Sequence, residues 1–415
     1  MKISYLIKEN KTAVVRTSLF VVLFAMGGFI ASHMAGAATY AGRVLNVAKI
    51  GGQYSSIQAA ANESRPGDTI LIAGGTYNEA LNPRSGAADK YIAFQARAGE
   101  RVVLDGDKRA RSGNGLMNLD NRSWLKFIGL SFVRSPTHGI YGFRANDIVF
   151  QDCEVASSSN GGLVMLGSSD ILVDSCNIHN NNDRGISASH EAVTMSEGTT
   201  NYEVKNNKVH DNGEEGIDAK YESNGGSIHD NLVYNNRGPN IYADSVSDVK
   251  IYNNISYGAQ ETTKAGISIA VEDYSSTRRV SDIDIFNNVV YGNAGGGISF
   301  WIESSGSISD IRIINNTISN NSRYALTIAA SSISGTNIVR NNIFSDNSVG
   351  GNGAFTMESN FTGDARFVNP GAGDYHLQAG SPAIDAGVAA GVPAFDRDNK
   401  LRPQGAQFDM GAYEQ

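Results

Sequence analysis

Residues 206–244 read NNKVHDNGEEGIDAKYESNGGSIHDNLVYNNRGPNIYAD, and they hold one motif twice. The motif is an Asn-Asn or Asp-Asn pair, an apolar residue, a short polar run and a strand-like stretch. Asn207 and Asn231 are equivalent, and the same slot recurs at Asn254, Asn288, Asn316 and Asn342, with Cys153 and Cys176 occupying it upstream. From Cys153 the successive spacings are 23, 31, 24, 23, 34, 28 and 26 residues. A repeat near 23 with occasional insertions signals a solenoid. Consecutive copies must lie parallel, since each turn returns to the same place one level up. A parallel β-helix is therefore expected, with the Asn column turned inward and hydrogen-bonded to the levels above and below.

The chain has 415 residues and a net charge of −8, which leaves no basic surplus to neutralise phosphates and argues against a nucleic acid partner. Lys2, Lys8, Lys11 and Arg16 precede the apolar run SLFVVLFAMGGFIA and the small residues AGAATYA. That is the pattern of a signal peptide, expected at 1–38 with cleavage near Ala37 or Ala38. The run is short for a span of about 20 residues, so no membrane span is expected after its removal. The mature protein is expected in the periplasm or the medium, as a monomer. Export permits a disulfide. Two buried thiols at Cys153 and Cys176 are expected instead, because side chains stacked in register seldom have the disulfide dihedral.

The expected organisation is a β-helix over 39–360 and a C-terminal closing segment over 361–415. Near the start, SIQAAANES reads as a short helix that Ser55 or Ser56 can cap. A helix there would cover the open first turn. The C-terminal stretch lacks the repeat. Its Asp396, Asp398 and Asp409 are expected to serve structural hydrogen bonds rather than calcium.

Aligned after each corner, Ile140, Leu163, Ile186, Ile217, Ile241, Ile267, Ile298 and Leu326 are expected to stack inward. The alternate positions then point out, among them Tyr141, Ser187, Asp218 and Tyr242, and two residues on Ser189, Lys220, Asp244 and Trp301. Two insertions, placed at 190–201 and 272–282, would wall this face. Asp218 and Lys220 would both face solvent, with Glu214 and Glu215 at the corner before them. Asp183, Arg184 and His190 lie one turn back, Asp244 one turn forward, and Arg237 and Lys264 at the next two entries. Both charges in line with Tyr141, Tyr242 and Trp301 suit an extended acidic sugar chain.

The YSSIQAAANESRPGDTILIAGGTYNE start, the Asn-Asn repeats and the DMGAYE end resemble the pectin-lyase-like right-handed parallel β-helix proteins. The resemblance covers the mature chain and implies an all-β, right-handed fold. Many such proteins are polysaccharide lyases, acting on pectate, alginate or bacterial exopolysaccharides. NGEEGIDAK is similar to the acidic strand of family 9 pectate lyases, with Glu in place of their Asp pair. That resemblance implies a calcium ion on Glu214, Glu215 and Asp218, with Asp183 as a further ligand.

The implied reaction is β-elimination. The carbon-5 proton of a uronate is too weakly acidic to leave unaided, so a site must neutralise the carboxylate, supply a base and stabilise the enolate-like intermediate. Calcium or Arg184 would neutralise. Lys220 is the expected base, with His190, Tyr242 and Lys264 as alternatives. Tyr141, Arg237, Lys264, Tyr242, Asp244 and Trp301 would hold substrate. Three rival readings share the fold: glycoside hydrolysis by a carboxyl pair such as Asp218 with Asp244, carbon-5 epimerisation, and carbohydrate binding without catalysis.

Overall fold

The reason for the paired Asn lies in the backbone. The first member of each pair turns the chain with positive φ: Asn206 at 55°, Asp230 at 55°, Asn253 at 54°, Asn287 at 54°, Asn315 at 55° and Asn341 at 53°. Asn and Asp tolerate this left-handed region best among residues with a Cβ. The second member is buried. Its side-chain oxygen accepts from the residue one level below: Cys176 N–H donates to Asn207 Oδ1 at 2.8 Å, and Asn207 N–H to Asn231 Oδ1 at 2.9 Å. The ladder continues through Asn254, Asn288, Asn316 and Asn342 to Asn360. Each Nδ2 also donates to a backbone carbonyl, as Asn231 does to Val204 at 2.8 Å. A corner that would otherwise bury unmet amides is thus satisfied internally. Cys153 and Cys176 are buried and unbonded to each other. A second ladder, absent from the sequence reading, runs through Asn181, Asn212 and Asn236 after the next strand.

The computed structural model describes residues 42–109, 113–345, 348–350 and 353–415; the expected leader at 1–38 lies outside them. The described residues form three parallel sheets, of fourteen, twelve and nine strands, built from one strand per coil except where Ile333–Ser334 and Ile338–Arg340 of one coil both join the first. The coil that carries the acidic motif contributes Thr200–Lys205 to the first sheet, Lys208–His210 to the second and Ile217–Lys220 to the third. The chain is all-β, and the one α-helix among the described residues is Ile57–Glu63. Its N-terminus is capped twice. Ser56 Oγ accepts from Ala59 N–H at 3.2 Å, and the Glu79 carboxylate accepts from Ile57 N–H at 2.8 Å and Gln58 N–H at 3.0 Å. Ile57, Ala60 and Ala61 are buried. Among the described residues no helix is long and apolar enough to cross a membrane.

The inward column of the third sheet differs from the expected one at a single coil. Val193, not Ile186, pairs between Leu163 and Ile217. Ile186 is 75% exposed, in the 3₁₀ turn Gly185–Ser187. Arg-Gly-Ile copies the corner pattern, yet the strand is Val193–Ser196. Val193 and Met195 fill the core beside Leu163 and Met165. The insertion of this coil therefore precedes its strand, and Ser187 and Ser189 do not belong to the outward face.

Beyond the last coil, Phe367–Asn369 and Asp374–Leu377 pair antiparallel. Residues of this segment, including Tyr375, Leu377 and Ala412, pack on Val289 and Ile343 of the second sheet. Asp396 and Asp409 accept backbone N–H groups of Lys400, Glu414, Asp385 and Gln415, so their role is structural.

Candidate active site

The outer face of the third sheet is covered where solvent exposure was expected. In register across neighbouring coils stand Thr194, Asp218 and Tyr242, with Lys220 beside Asp244. Asp218 is 1% exposed, Tyr242 3% and Asp244 0%. Two side chains that the sequence reading missed close the face. Glu191 precedes its strand at the position Glu215 holds one coil later, and its Oε1 lies 2.5 Å from Lys220 Nζ. Glu272, from the second insertion, accepts from Tyr242 OH at 2.6 Å and gives its own N–H to Asp244 Oδ1 at 3.0 Å. The 24-residue interval between Glu191 and Glu215 was the available signal, hidden by the misplaced strand.

The site is a carboxylate cluster threaded by cations. Lys220 Nζ also stands 3.2 Å from Asp218. Lys264 Nζ is 3.3 Å from Glu215 Oε1 and 5.2 Å from the centre of the Tyr242 ring. Arg237 meets Glu214 at 3.1 Å. Glu191, Glu214, Glu215, Asp218, Asp244 and Glu272 outnumber these three cations, and the excess charge shows in their protonation. Burial pushes Asp218 up, Lys220 pulls it down, and Glu191, Glu215 and Asp244 push it up further, so its pKa stands well above the usual range. Asp244 is raised by burial and by Glu272 to about 7. Glu214 is raised by burial and by Glu215 to about 6. For Lys220 burial works downward, but the Glu191 and Asp218 carboxylates win and its pKa lies well above the ordinary lysine value.

The other expected site residues are dispersed. Asp183 pairs with Lys108 at 2.5 Å. Arg184 sits on the 3₁₀ turn within 3.5 Å of Asn160 Oδ1. His190 contacts Ser189 Oγ at 2.9 Å and His138 Nε2 at 3.3 Å, near the Tyr141 ring. Burial lowers the His190 pKa to about 4, leaving a neutral imidazole at pH 7. Trp301, with Lys264, Ser299, Phe300 and Tyr324, lines an open cavity of about 280 Å³.

The carboxylates suit a hard cation in donor chemistry, and two oxygens have capacity to spare: Asp218 Oδ1 and Asp244 Oδ2 are buried without a hydrogen-bond partner. Glu214, Glu215 and Asp218 fit calcium in these respects, while Asp183 is engaged elsewhere. Among the described residues, no three acidic, His or Cys side chains already converge as a metal cluster. The amines of Lys220 and Lys264 stand among these carboxylates, paired with Glu191, Asp218 and Glu215.

A sequence profile described as "Pel9A-like, right handed beta helix region" matches residues 39–323. A curated protein named pectate lyase PEL9, from Emericella nidulans, is 24% identical over 128 residues. That match covers 28% of this chain and 31% of the relative, so the chain aligns with about a third of that protein's length. Among solved structures, pectate lyase Pel9A is similar with a TM-score of 0.55 at 17% identity, over 90% of this chain and 96% of that one. PfbA, a surface adhesin of Streptococcus pneumoniae, gives 0.52 at 13% identity, over 74% and 87%. At these identities the structural likeness speaks for the fold alone.

Proposed function

The chain belongs to the Pel9A-like right-handed β-helix family, and from that premise we propose that it is an exported polysaccharide lyase cleaving a uronate-containing chain by β-elimination. One observation carries the reading. Lys264 joins the carboxylate cluster to the open cavity: its ammonium pairs with Glu215, and its side chain, 27% exposed, lines the recess with Trp301. Lys220, 12% exposed and held by two carboxylates, has no such access. The base is therefore Lys264, and Lys220 is the internal cation of the cluster.

In the reaction the uronate ring lies against Trp301 and Tyr324, and Lys264 Nζ takes the carbon-5 proton. The C–H electron pair forms the carbon-4–carbon-5 double bond as the carbon-4–oxygen bond breaks; the departing sugar oxygen takes a proton from solvent, to which Lys264 returns the one it removed. Lys264 must first be neutral. Burial favours that, but Glu215 opposes it and holds the pKa above the ordinary value. A calcium ion held by Glu214, Glu215 and Asp218 would neutralise both the substrate carboxylate and the acids beside Lys264. Tyr242 and Asp244 are buried and support the site without touching substrate. The basic and apolar leader expected at 1–38 fits an enzyme that meets its polymer outside the cytoplasm.

The test is a panel of polygalacturonate, alginate and acidic exopolysaccharides, followed at the ultraviolet absorbance of the new double bond, with calcium and with chelator. One polymer is expected to give the absorbance, and Lys264→Ala to lower turnover at least about 10²-fold. New reducing ends without absorbance would mean hydrolysis. Inversion at carbon 5 without shortening would mean epimerisation, and binding without any product a non-catalytic solenoid. Each of these outcomes overturns the lyase reading.

A further inference from the structure

The loop from Glu272 to Arg278 has a second side. Its far flank, over the corner between the third and first sheets, encloses a recess of about 230 Å³ that shares no residue with the Lys264 cavity. The lining is Glu222, Asn224, Ser245, Val246, Ser247, Thr277, Arg279 and Ser281. We propose that this recess, between that loop and the corner column of the first sheet, is a second, non-catalytic binding site for an acidic sugar unit; the choice of ligand class rests on the polysaccharide reading above.

Four features carry the assignment. First, the floor is a column of hydrogen-bonding side chains set by the coil repeat. Asn224, Ser247 and Ser281 are in register on three successive coils, about 4.8 Å apart; Asn224 is exposed, Ser247 half-buried and Ser281 buried, so an extended saccharide along the helix axis meets hydrogen-bonding side chains at the first two levels. Second, the loop wall is fixed. Glu222 Oε1 accepts from Ser275 Oγ at 2.7 Å, Ser276 N–H at 2.9 Å and Thr277 N–H at 3.1 Å. That oxygen is thereby occupied and its charge met by donors. Third, Arg279 is exposed, and among the described residues its side chain makes no hydrogen bond or ion pair at contact distance, with only the longer-range attraction of Asp310 upon it. A guanidinium in this state suits a carboxylate, which it can grip in two places. Fourth, the lining holds no lysine or histidine, and its one acid, Glu222, is engaged with the loop, so it lacks the amine base proposed for the Lys264 cavity.

Calorimetry on full-length Lys264→Ala protein, which is not expected to turn substrate over, reads this site without relying on activity. Trigalacturonate and trimannuronate are the probes, with neutral maltotriose as control. Two sites are expected for at least one acidic probe. Arg279→Ala should weaken one of them at least tenfold, and Ser247→Phe, which fills the recess, should remove it. One site only, two sites untouched by both substitutions, or equal binding of maltotriose would overturn the proposal. The panel for unsaturated product is scored separately, so a lyase without this second site and a saccharide binder without lyase activity give different results.

Discussion

Lys220 is the residue whose meaning changed most between one dimension and three. As an outward position on an exposed sheet it would be dispensable for folding. Under Glu191 and beside Asp218 it is half of a buried charge set. Removing one partner of such a pair leaves an uncompensated buried charge, at about 3–5 kcal/mol. Lys220→Ala should therefore lower the urea midpoint clearly; an unchanged midpoint would show that the cluster is solvated. Asp244 makes a second residue-scale prediction. Its folded pKa of about 7 lies above the unfolded value, so the folded state holds the extra proton. Stability from this group is present below the unfolded carboxylate pKa and is lost as pH rises through about 7. The stability advantage of Asp244→Asn over the natural chain should grow between pH 4 and pH 7, measured by urea unfolding at each pH. A constant difference across that range would contradict it.

Among elements, the loop from Glu272 to Arg278 matters most, because it covers Tyr242 and Asp244 on one flank and walls the polar recess on the other. A single carboxylate oxygen of Glu222 fastens it. Burial pushes the Glu222 pKa up, the Ser275, Thr277 and Ser276 donors pull it down further, and it ends below the ordinary glutamate value. The anchorage is complete above the unfolded pKa and is lost as pH falls through the lowered one. Hydrogen exchange can watch this directly. In Glu222→Ala the amides of Ser276 and Thr277 should exchange about tenfold faster or more, the loss expected for hydrogen bonds to a charged group. Unchanged exchange would mean that the contacts of Asp273 with Ser304 and of Arg278 with Ser305 hold the loop by themselves.

For the molecule as a whole, the solenoid makes distant parts nearly independent, since each coil's strands pair only with those of its neighbours. The C-terminal segment departs from this, tied along the flank to three coils through the turning residue of the Asn pairs. Asn287 Nδ2 donates to Phe395 O at 2.8 Å, Asn315 Nδ2 to Asp409 O at 2.9 Å, and Asn341 Nδ2 to Val388 O at 2.8 Å. Asn315→Ala should speed proteolysis within 385–415 while leaving saccharide binding at the upstream coils unaltered. Loss of both together would show long-range coupling through the stack.

The fold was legible because a solenoid writes its period into the chain. Asn207, Asn231, Asn254, Asn288, Asn316 and Asn342 must each meet the level below, so their spacing alone announced the coils, and the capped helix Ile57–Glu63 followed from local chemistry at Ser56. The acidic strand Ile217–Lys220 with Glu214 and Glu215 was legible for the same reason. Insertions were not, because they have no period: the Arg184-Gly185-Ile186 corner mimic concealed the true strand at Val193 and with it Glu191. What lies over a sheet face is decided by loops whose paths depend on contacts far along the chain. Only the tertiary structure could therefore bring Glu191 onto Lys220 and Glu272 onto Tyr242, and leave Lys264 as the amine that reaches open space.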